Sequence, residues 1–497
     1  MNYRYIFNTL SLILKYIAVV MLIPCICAFI YKETNAYQPF VYSSIIAYLL
    51  SLIMKGKEKS GEEFNNINKS ETLVLVLLAW ISFALLSATT FLHFGLSPID
   101  ALFEGVSGVT ATGATILTDF SVYPKTMFFW RSFSQWLGGM GILVLFIAVL
   151  PQFAIAGRQM FSAEFPGASS TDTKLTPRIR QTAAALWLIY FILTILEICA
   201  LKYCGMPIFD AICNSCSTLS GGGLSPAQNS IMDYAQPKIF WVIAFFMFLS
   251  GMNFALQYKV YVKRNFLALI KDDEFKLYLG VVIFFTLSIA VTLTTHGIYE
   301  LKEAFEAAFF QVVSIITTTG FASVDYNEWN LRAKLLLFLL VFSGASIGSA
   351  SGGLKLLRVI FIFKYLKRQI SKIYHPNGVY PIKINRTIIN EDVVRQMISF
   401  AIFYYTIFVI SAVLLVFIEQ DTIIGLTSAI ASLGNVGPAF GKLGPMGSFA
   451  GLTIISKLIC ISNMMIGRLE LIPFLALFHP DFWIFKKRNN LHKNKNI

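Results

Sequence analysis

A short motif rich in glycine, threonine and serine occurs four times in this chain, and its repetition constrains the fold more than any other feature. The copies occupy residues 106–114, 216–224, 313–321 and 430–438, and the next-to-last residue of each is a glycine. Each copy follows an apolar segment that is shorter than the roughly 20 residues needed to cross a bilayer. Longer apolar segments lie on both sides. This context predicts a short helix that leads into a pore loop between two spanning helices, repeated around one axis.

Threonine and glycine suit such a loop for a direct physical reason. An ion that leaves water needs oxygen atoms in place of its hydration shell, and the carbonyls of an extended backbone supply them. Glycine adopts backbone conformations that other residues resist, so successive carbonyls can point inward. The short helix before each loop would direct its partially negative C-terminal end toward the axis, which favours a cation. Four ordinary Gly-rich surface loops are the alternative, but the fourfold recurrence of the same context favours a ring.

The composition indicates a membrane protein with several spans. The chain has 497 residues, of which 56% are hydrophobic and only 13% charged, about half of what a soluble protein carries. The net charge of +13 does not indicate nucleic-acid binding, because the basic residues fall between apolar segments and serve membrane orientation. The seven cysteines form no paired metal-ligand pattern, since Cys213 and Cys216 have no second pair.

The fold class expected is an all-α polytopic membrane protein with two N-terminal helices and four helix–pore loop–helix repeats around a pseudo-fourfold pore. Spans are predicted near 9–30, 39–54, 71–93, 129–153, 183–203, 238–258, 277–296, 334–366 with an interruption, 396–418 and 450–478. Short pore helices are predicted near 98–110, 208–219, 303–316 and 422–433. The corresponding units are the two leading helices in 1–69 and the repeats 70–160, 161–268, 269–375 and 376–497.

The distribution of lysine and arginine predicts the orientation. Basic residues collect in 55–69, 158–180, 259–276, 364–386 and 486–495, whereas the loops that carry the repeated motif are poor in them. By the positive-inside rule, both termini are cytoplasmic and the four loops enter the membrane from outside.

A run of small residues interrupts the eighth predicted span. From Ser343 to Gly353 nearly every position is Gly, Ser or Ala, and these residues hold a helix poorly. A close-packing face of small residues would recur only every fourth position. The pattern therefore favours a broken helix with a flexible loop below the predicted filter.

Arg468 lies near the middle of the last predicted span, where a charge is costly and usually faces a polar interior. One interpretation is a fixed positive charge beside the pore, held by loop carbonyls. The other is an arginine that extends to the interface, with Glu470 as its candidate partner. Glu197 and Asn214 are weaker candidates, for which a structural role is expected.

The four Thr/Gly loops, the Gly/Ser-rich break, the Gly-Arg-Leu-Glu sequence at 467–470 and the two extra N-terminal helices resemble the Trk/Ktr/HKT superfamily of potassium transporters. The extra helices point to its bacterial TrkH type. The resemblance implies a potassium-binding filter built by four segments, although three consecutive glycines leave the register of the second open by one residue. The implied metal-binding filter residues are Thr110, Ala111, Thr112, Gly113, Ser220, Gly221, Gly222, Gly223, Thr317, Thr318, Thr319, Gly320, Gly434, Asn435, Val436 and Gly437.

The resemblance also implies a gate and partners. The gating residues would be Ser343, Gly344, Gly348, Gly352, Gly353 and Arg468. Potassium would be the transported ion, and the glycine at position 113 agrees with potassium-selective members. Relatives of this type sit in the bacterial cytoplasmic (inner) membrane as homodimers, on a separate cytosolic nucleotide-binding regulatory ring of the TrkA type. This chain itself carries no Gly-x-Gly-x-x-Gly or Walker signature.

Three functions compete at this level. The leading one is channel-like potassium uptake through a carbonyl selectivity filter with a gating loop below it. The alternative within transport is a proton- or sodium-coupled potassium symporter, for which Glu197 or Glu470 could be invoked. A membrane-embedded enzyme is disfavoured, because His93 and His296 have no partnered carboxylate or cysteine pattern.

Overall fold

The structure is a computed structural model that describes residues 3–55, 69–141, 176–234 and 236–469. Nearly all of its regular structure is helical. Within these ranges five helices are long and apolar enough to cross a membrane, and a bent helix pair makes a sixth. Their outer faces expose large apolar side chains such as Phe284, Val291 and Phe417, as expected of surfaces that meet lipid.

The chain begins with two spanning units that pack on the first repeat. The helices Tyr3–Val20 and Ile23–Ile30 form one nearly continuous span, and Gln38–Met54 returns beside it. Their contact includes a hydrogen bond of 2.7 Å from Ser11 Oγ to the carbonyl of Ser51 and one of 2.8 Å from Ser44 Oγ to Ala18. The predicted pair of leading helices is confirmed.

Four repeats follow, each with a long helix, a short helix, a loop and a further helix. The long helices are Lys69–His93, Thr176–Tyr203, Asp273–Thr295 and Glu391–Glu419. The short helices, named here the first to fourth pore helix, are Pro98–Val109, Ile208–Ser220, Leu301–Ile316 and Thr422–Leu433. The helices after the loops are Lys125–Gly139, Pro237–Ser250 with Phe254–Tyr261, Leu331–Val341 with Leu356–Tyr374, and Ile454–Arg468.

The starts of the pore helices agree with the cap signals in the sequence. Ser97 caps the first pore helix by accepting from the Asp100 backbone N–H, with a proline in the first turn. Asp421 accepts from the N–H groups of Ile423 and Ile424 at the start of the fourth. These caps fix the starts of the first and the fourth pore helix.

The helices that follow the loops are less continuous than the sequence predicts. The expected uninterrupted span 238–258 is wrong, because the chain bends by 103° between Pro237–Ser250 and Phe254–Tyr261. Gly251 lies at this bend, and Asn253 caps the second part. The predicted interruption of the eighth span is confirmed, since helix ends at Val341 and resumes at Leu356. Residues 142–153 and 470–478 of two other predicted spans lie outside the described residues.

The strands of the described ranges are short. Ser343–Gly344 pairs in parallel with Leu354–Lys355 across the broken helix. Lys383–Ile384 pairs antiparallel with Thr387–Ile388 in a hairpin between the third and fourth repeats. The short helix Leu267–Lys271 and four 3-10 helices, Ser230–Asp233, Tyr326–Glu328, Gly441–Leu443 and Phe449–Gly451, complete the connections in the described ranges.

Candidate functional site

The four loop segments 110–113, 220–223, 317–320 and 434–437, named here the ring segments, share one backbone conformation. The second residue of each has a positive φ: Ala111 +52°, Gly221 +66°, Thr318 +56° and Asn435 +53°. The fourth residue does as well: Gly113 +87°, Gly223 +68°, Gly320 +77° and Gly437 +94°. This common pattern aligns the three consecutive glycines of the second segment with the other segments and indicates its register.

Each ring segment is held to the pore helix before it by the same hydrogen bonds. The third residue donates its N–H to a carbonyl in the last turns of the helix, at 2.9 to 3.0 Å in all four copies. In three copies a serine of the helix also donates to the carbonyl just after the segment: Ser107 to Ala114, Ser217 to Leu224 and Ser314 to Phe321. The fourth has Ala431 at this position, and its segment is held instead by the Asn435 amide, which donates to the Thr112 hydroxyl at 2.8 Å and to the carbonyl of Met464 at 3.0 Å.

The segments close into a ring through their glycines. A Cβ atom built on Gly113 would lie 2.0 Å from the carbonyl oxygen of Gly222, and one on Gly223 would lie 1.8 Å from that of Thr319. The same contact continues from Gly320 to Val436 at 2.2 Å and from Gly437 to Thr112 at 2.6 Å. Each segment therefore packs on the next in cyclic order, at a distance that only glycine permits.

The carbonyl oxygens in these contacts also hold the ring segments together. The carbonyls of Thr112, Gly222, Thr319 and Val436 lie against the glycine of a neighbouring segment. Gly222 in addition accepts a hydrogen bond of 2.7 Å from Gln135 Nε2, and Gln135 Oε1 accepts from the Leu224 N–H at 3.2 Å. Gln135 is a site residue that the sequence did not single out, although an amide on an apolar helix is a recognisable signal.

A buried ion pair lies next to the first ring segment and binds the residues that follow it. Arg131 Nε lies 3.1 Å from Glu104 Oε2, and both side chains are almost fully buried. Glu104 also accepts from the Thr115 hydroxyl and, at 2.8 Å, from the Ile116 N–H, while Arg131 Nη2 donates to Thr115 at 2.9 Å. The pair thus fixes the chain just after the first ring segment. Sequence analysis missed it, although two opposite charges at membrane depth were the available signal.

A second charged contact ties the first repeat to the last. Lys457 Nζ, in helix Ile454–Arg468, lies 2.7 Å from Asp100 Oδ1 at the start of the first pore helix. This contact joins the fourth repeat to the first and so closes the cycle of repeats. The outer loops continue the closure, because the Phe449 N–H donates to the carbonyl of Thr115 at 2.9 Å.

A cavity lies where the four ring segments end. Residues of all four repeats line it, among them Gly113, Gly223, Gly320 and Pro438. The loops that carry few basic residues surround this cavity, which makes it the outer mouth in the predicted orientation.

The loop 343–353 lies at the opposite end of the ring, against the first residues of the segments. The Gly352 N–H donates to the Thr318 hydroxyl at 2.8 Å, and a Cβ on Gly352 would lie 2.6 Å from the carbonyl of Gly434. A Cβ on Gly221 would lie 3.5 Å from the carbonyl of Ala350. The loop therefore contacts three of the four segments, at the depth where the second repeat bends.

Backbone hydrogen bonds anchor this loop to the bend. The N–H groups of Ser346 and Ala350 donate to the carbonyls of Gly251 and Ser250 at 3.1 and 3.3 Å. The Phe254 N–H donates to Gly348 at 3.0 Å. The two interrupted helices thus satisfy each other's backbone groups, which irregular chain at membrane depth requires.

Arg468 joins the loop to the first repeat. Its guanidinium donates to the carbonyl of Ala350 at 2.9 Å and to those of Gly138 and Gly139 at 2.6 Å each. The group is turned toward protein backbone beneath the ring, which favours the pore interpretation over an arginine that extends to the interface. Glu470, its alternative partner, lies outside the described residues.

The two weaker candidates lie away from the ring axis. Asn214 is buried in the second pore helix, and its amide donates to the Tyr234 hydroxyl at 3.3 Å. Burial raises the pKa of the Tyr234 phenol, so this partner stays neutral. Glu197 is fully buried beside Thr218 of the same pore helix. The amide Nδ2 of Asn214 thus has a partner, whereas Asn214 Oδ1 has none among the described residues.

Comparison with known proteins gives one consistent result. The model of the family TrkH, described as cation transport protein, matches residues 35–484. The Trk system potassium uptake protein TrkH of Salmonella typhimurium is 35% identical over 97% of this chain and 100% of its own length. The protein TrkG of the same system from Escherichia coli is 34% identical over 93% of this chain and 95% of its own. The crystal structure of the potassium transporter TrkH from Vibrio parahaemolyticus superposes with a TM-score of 0.87 at 30% identity, covering 97% of this chain and 100% of that one.

Proposed function

Because this chain belongs to the TrkH family of cation transport proteins, we propose that it takes up potassium across the cytoplasmic membrane through the ring described above. The chain is a multi-pass membrane protein and a transporter, not an enzyme. Its curated relatives are named potassium uptake proteins, and that name is the reason for potassium here. Potassium is the transported substrate rather than a resident cofactor.

The observation that carries the proposal is the cyclic contact of the four glycines. In this proposal the four segments surround a common axis, and backbone carbonyls of the segments supply the oxygen atoms that bind the ion. The ring residues Thr110–Gly113 and their counterparts form the proposed selectivity filter. The four pore helices end at the ring, so their partially negative C-terminal ends add to the attraction for a cation.

The loop 343–353 is the proposed gate. It lies against the inner end of the filter and contacts three ring segments, so an ion that leaves the filter toward the cytoplasm meets it. Gly344, Gly348, Gly352 and Gly353 give it the freedom to move, and Gly348 and Gly353 have positive φ values. Arg468 holds it in place through Ala350 and adds a positive charge that opposes a resting cation.

Transport through such a filter is channel-like in this proposal. An inside-negative membrane potential favours cation entry by about 2.3 kcal/mol per charge per 100 mV. The coupled alternative needs a group that binds and releases a proton or holds sodium during transport. Glu197 is the one buried carboxylate named here that lies beside a pore helix without belonging to the ring's support, so it is the residue on which coupling would depend.

The proposal includes the setting of the protein. In this proposal both termini face the cytoplasm of a bacterial inner membrane, an orientation that the distribution of Lys and Arg supports. The chain forms a homodimer and docks on a separate cytosolic nucleotide-binding ring of the TrkA type, as expected from the resemblance. The repeats 70–160, 161–268, 269–375 and 376–497 are the proposed units of the pore.

Flux through vesicles that hold only this chain tests the proposal. We expect uptake of Rb⁺ or K⁺ and much weaker uptake of Na⁺ under the same gradient. Reversal potentials under separate potassium and proton gradients decide on coupling, because a shift with the proton gradient contradicts a simple channel. The variant Glu197→Gln supplies the control: it should leave the reversal potential unchanged if conduction is uncoupled. Equal uptake of Na⁺ and Rb⁺ would contradict the filter.

A further inference from the structure

A single carboxylate binds both the proposed gate and the helix that follows it. Glu274 Oε1 accepts a hydrogen bond of 2.7 Å from the Ile347 N–H, within the loop 343–353. The same oxygen accepts one of 3.2 Å from the Leu357 N–H, in the first turn of helix Leu356–Tyr374. Glu274 is 5% exposed and belongs to a different helix, Asp273–Thr295. One side chain therefore joins the middle of the loop to the helix into which the loop leads.

One buried oxygen accepts both N–H groups, and burial removes the competition from water that would weaken such bonds. The carboxylate also lies at the N-terminal end of a helix, where the exposed N–H groups favour negative charge. Loss of the carboxylate would leave two loop N–H groups at membrane depth to find other partners.

The residues just before Glu274 are clamped by the hairpin Lys383–Ile388. Asn385 Oδ1 accepts from the Asp273 N–H at 2.8 Å, and the Asn385 N–H donates to Asp273 Oδ2 at 3.0 Å. Asn385 Nδ2 donates to Asp272 Oδ2 at 3.1 Å. The residue that bonds the hairpin and the residue that bonds the gate are thus neighbours at the start of one helix.

The hairpin is itself a firm element and not a loose loop. Ile382 and Ile384 are buried in a small apolar cluster with Phe361, Val394 and Met397, apart from the main core. Lys364 Nζ donates to the carbonyl of Lys383 at 2.5 Å and lies 3.7 Å from Asp273 Oδ2. The hairpin therefore connects helix Leu356–Tyr374 and helix Glu391–Glu419 to the base of helix Asp273–Thr295, on the side of the membrane that carries the basic residues.

We propose that Glu274 is the positioning residue of the gating loop, and that the clamp between the hairpin and Asp272–Asp273 transmits displacement at the cytoplasmic face to that loop. This inference rests on the proposed function, in which 343–353 is the gate. A cytosolic partner that shifts the hairpin would move the base of helix Asp273–Thr295 and, with it, the carboxylate that holds the loop. Asp273, which bonds the hairpin, and Glu274, which bonds the loop, are adjacent in the chain, so a displacement of the hairpin is passed directly from one residue to the next.

The test measures basal Rb⁺ flux through the full-length chain in proteoliposomes. Glu274→Ala should raise basal flux by about tenfold, since a hydrogen bond to a charged acceptor shifts a two-state equilibrium by roughly that factor. Glu274→Gln keeps an acceptor oxygen without the charge and should give a smaller rise. Asn385→Ala, at the surface, should raise flux in the same direction and add nothing to Glu274→Ala when the two are combined. The ratio of Rb⁺ to Na⁺ flux should not change in any of them.

A matched control and a second readout separate positioning from general damage. Asp392→Asn removes a carboxylate at an exposed cytoplasmic position and should leave flux as in the parent. With Ser349→Cys as reporter, a small thiol reagent should label the loop faster in the Glu274→Ala background than in the parent. Parental flux and parental labelling in that variant would overturn the inference while the proposed function stands. A parent chain that passes no Rb⁺ would instead overturn the proposed function, and the inference with it.

Discussion

Gly113 illustrates how narrowly a single residue is constrained in the ring. Its φ of +87° is a conformation that other residues adopt only at a cost of order 1–3 kcal/mol. Its Cα also faces the carbonyl of Gly222 so closely that a Cβ would lie 2.0 Å from the oxygen. Both backbone conformation and packing therefore require glycine, and any larger residue must displace the second ring segment.

We expect Gly113→Ser to weaken discrimination between potassium and sodium by about tenfold or more, because a shift of 1.4 kcal/mol already changes a ratio tenfold. The measurement is the relative flux of K⁺ and Na⁺ in proteoliposomes. Gly95→Ser is the matched control: Gly95 has a similar φ of +90°, but its Cβ position meets nothing within 4 Å. Unchanged selectivity in Gly113→Ser, or an equal loss in Gly95→Ser, would remove position 113 from the filter.

The pair of Glu104 and Arg131 is constrained by charge instead of shape. Both side chains are buried, so removal of one partner leaves an uncompensated charge in an apolar environment. Glu104→Gln should therefore destabilise the protein by about 3 kcal/mol, seen as a lower midpoint of thermal unfolding in detergent.

The double variant Glu104→Gln with Arg131→Met should recover part of that loss, because replacing both charges avoids the unpaired one. If the loss of stability in the double variant equalled the sum of the losses in Glu104→Gln alone and Arg131→Met alone, the two groups would act independently. The distance of 3.1 Å and the shared contact with Thr115 argue against that outcome.

At the scale of elements, the helices after the loops differ in how they end beneath the ring. The second bends by 103° at Gly251, the third gives way to the loop 343–353, and the fourth brings Arg468 under the ring. Gly138 and Gly467 pack against the last carbonyls of the first and fourth pore helices, Val109 and Leu433. Small residues at these points let each helix approach the ring closely enough to support it.

Shortening the loop is the corresponding prediction. Removal of Ser349, Ala350 and Ser351 eliminates the carbonyl that Arg468 holds and shortens the path from Gly348 to Gly352. Basal Rb⁺ flux should rise several-fold while the K⁺/Na⁺ ratio stays near that of the parent. Removal of three residues from the exposed loop 375–377 serves as the control and should leave flux unchanged. Basal Rb⁺ flux equal to that of the parent in the shortened variant would contradict a gating role.

At the scale of the whole molecule, four unequal repeats form one ring with two different ends. The end that faces outward in the predicted orientation is an open cavity bounded by loops with few basic residues, and the opposite, predicted inner end is covered by the loop 343–353. Basic residues gather around the inner end, including Lys364 and Lys383 of the hairpin region. The asymmetry gives the ring a direction in the membrane.

Labelling of single cysteines from outside tests that direction. In a background without the seven native cysteines, Val122→Cys should react with a membrane-impermeant thiol reagent in spheroplasts, and Val379→Cys should react only after lysis. Both positions are well exposed, at 74% and 89%, so accessibility to solvent does not distinguish them. The opposite pattern would reverse the orientation and place the gate outside.

Much of the architecture was readable from the chain alone, because it depends on local signals. Apolar length separates spanning from short helices, and Ser97 and Asp421 mark helix starts through caps that involve only their neighbours. The run of small residues from 343 to 353 predicts that the helix is interrupted there. The bend at Gly251 was missed, since one glycine in an apolar helix carries no directional information.

Only the tertiary structure decided which residues of distant repeats meet. The sequence determined that four similar segments exist, because local chemistry repeats along the chain. It did not determine that Gly113 packs on Gly222, that Arg468 binds Gly138, Gly139 and Ala350, or that Glu274 holds the loop. These contacts join residues that lie dozens to hundreds of positions apart in the chain. In each contact at least one of the two partners is a backbone carbonyl or N–H group. Every residue carries such groups, so no side-chain pattern reveals which of them a ring of four repeats will bring together.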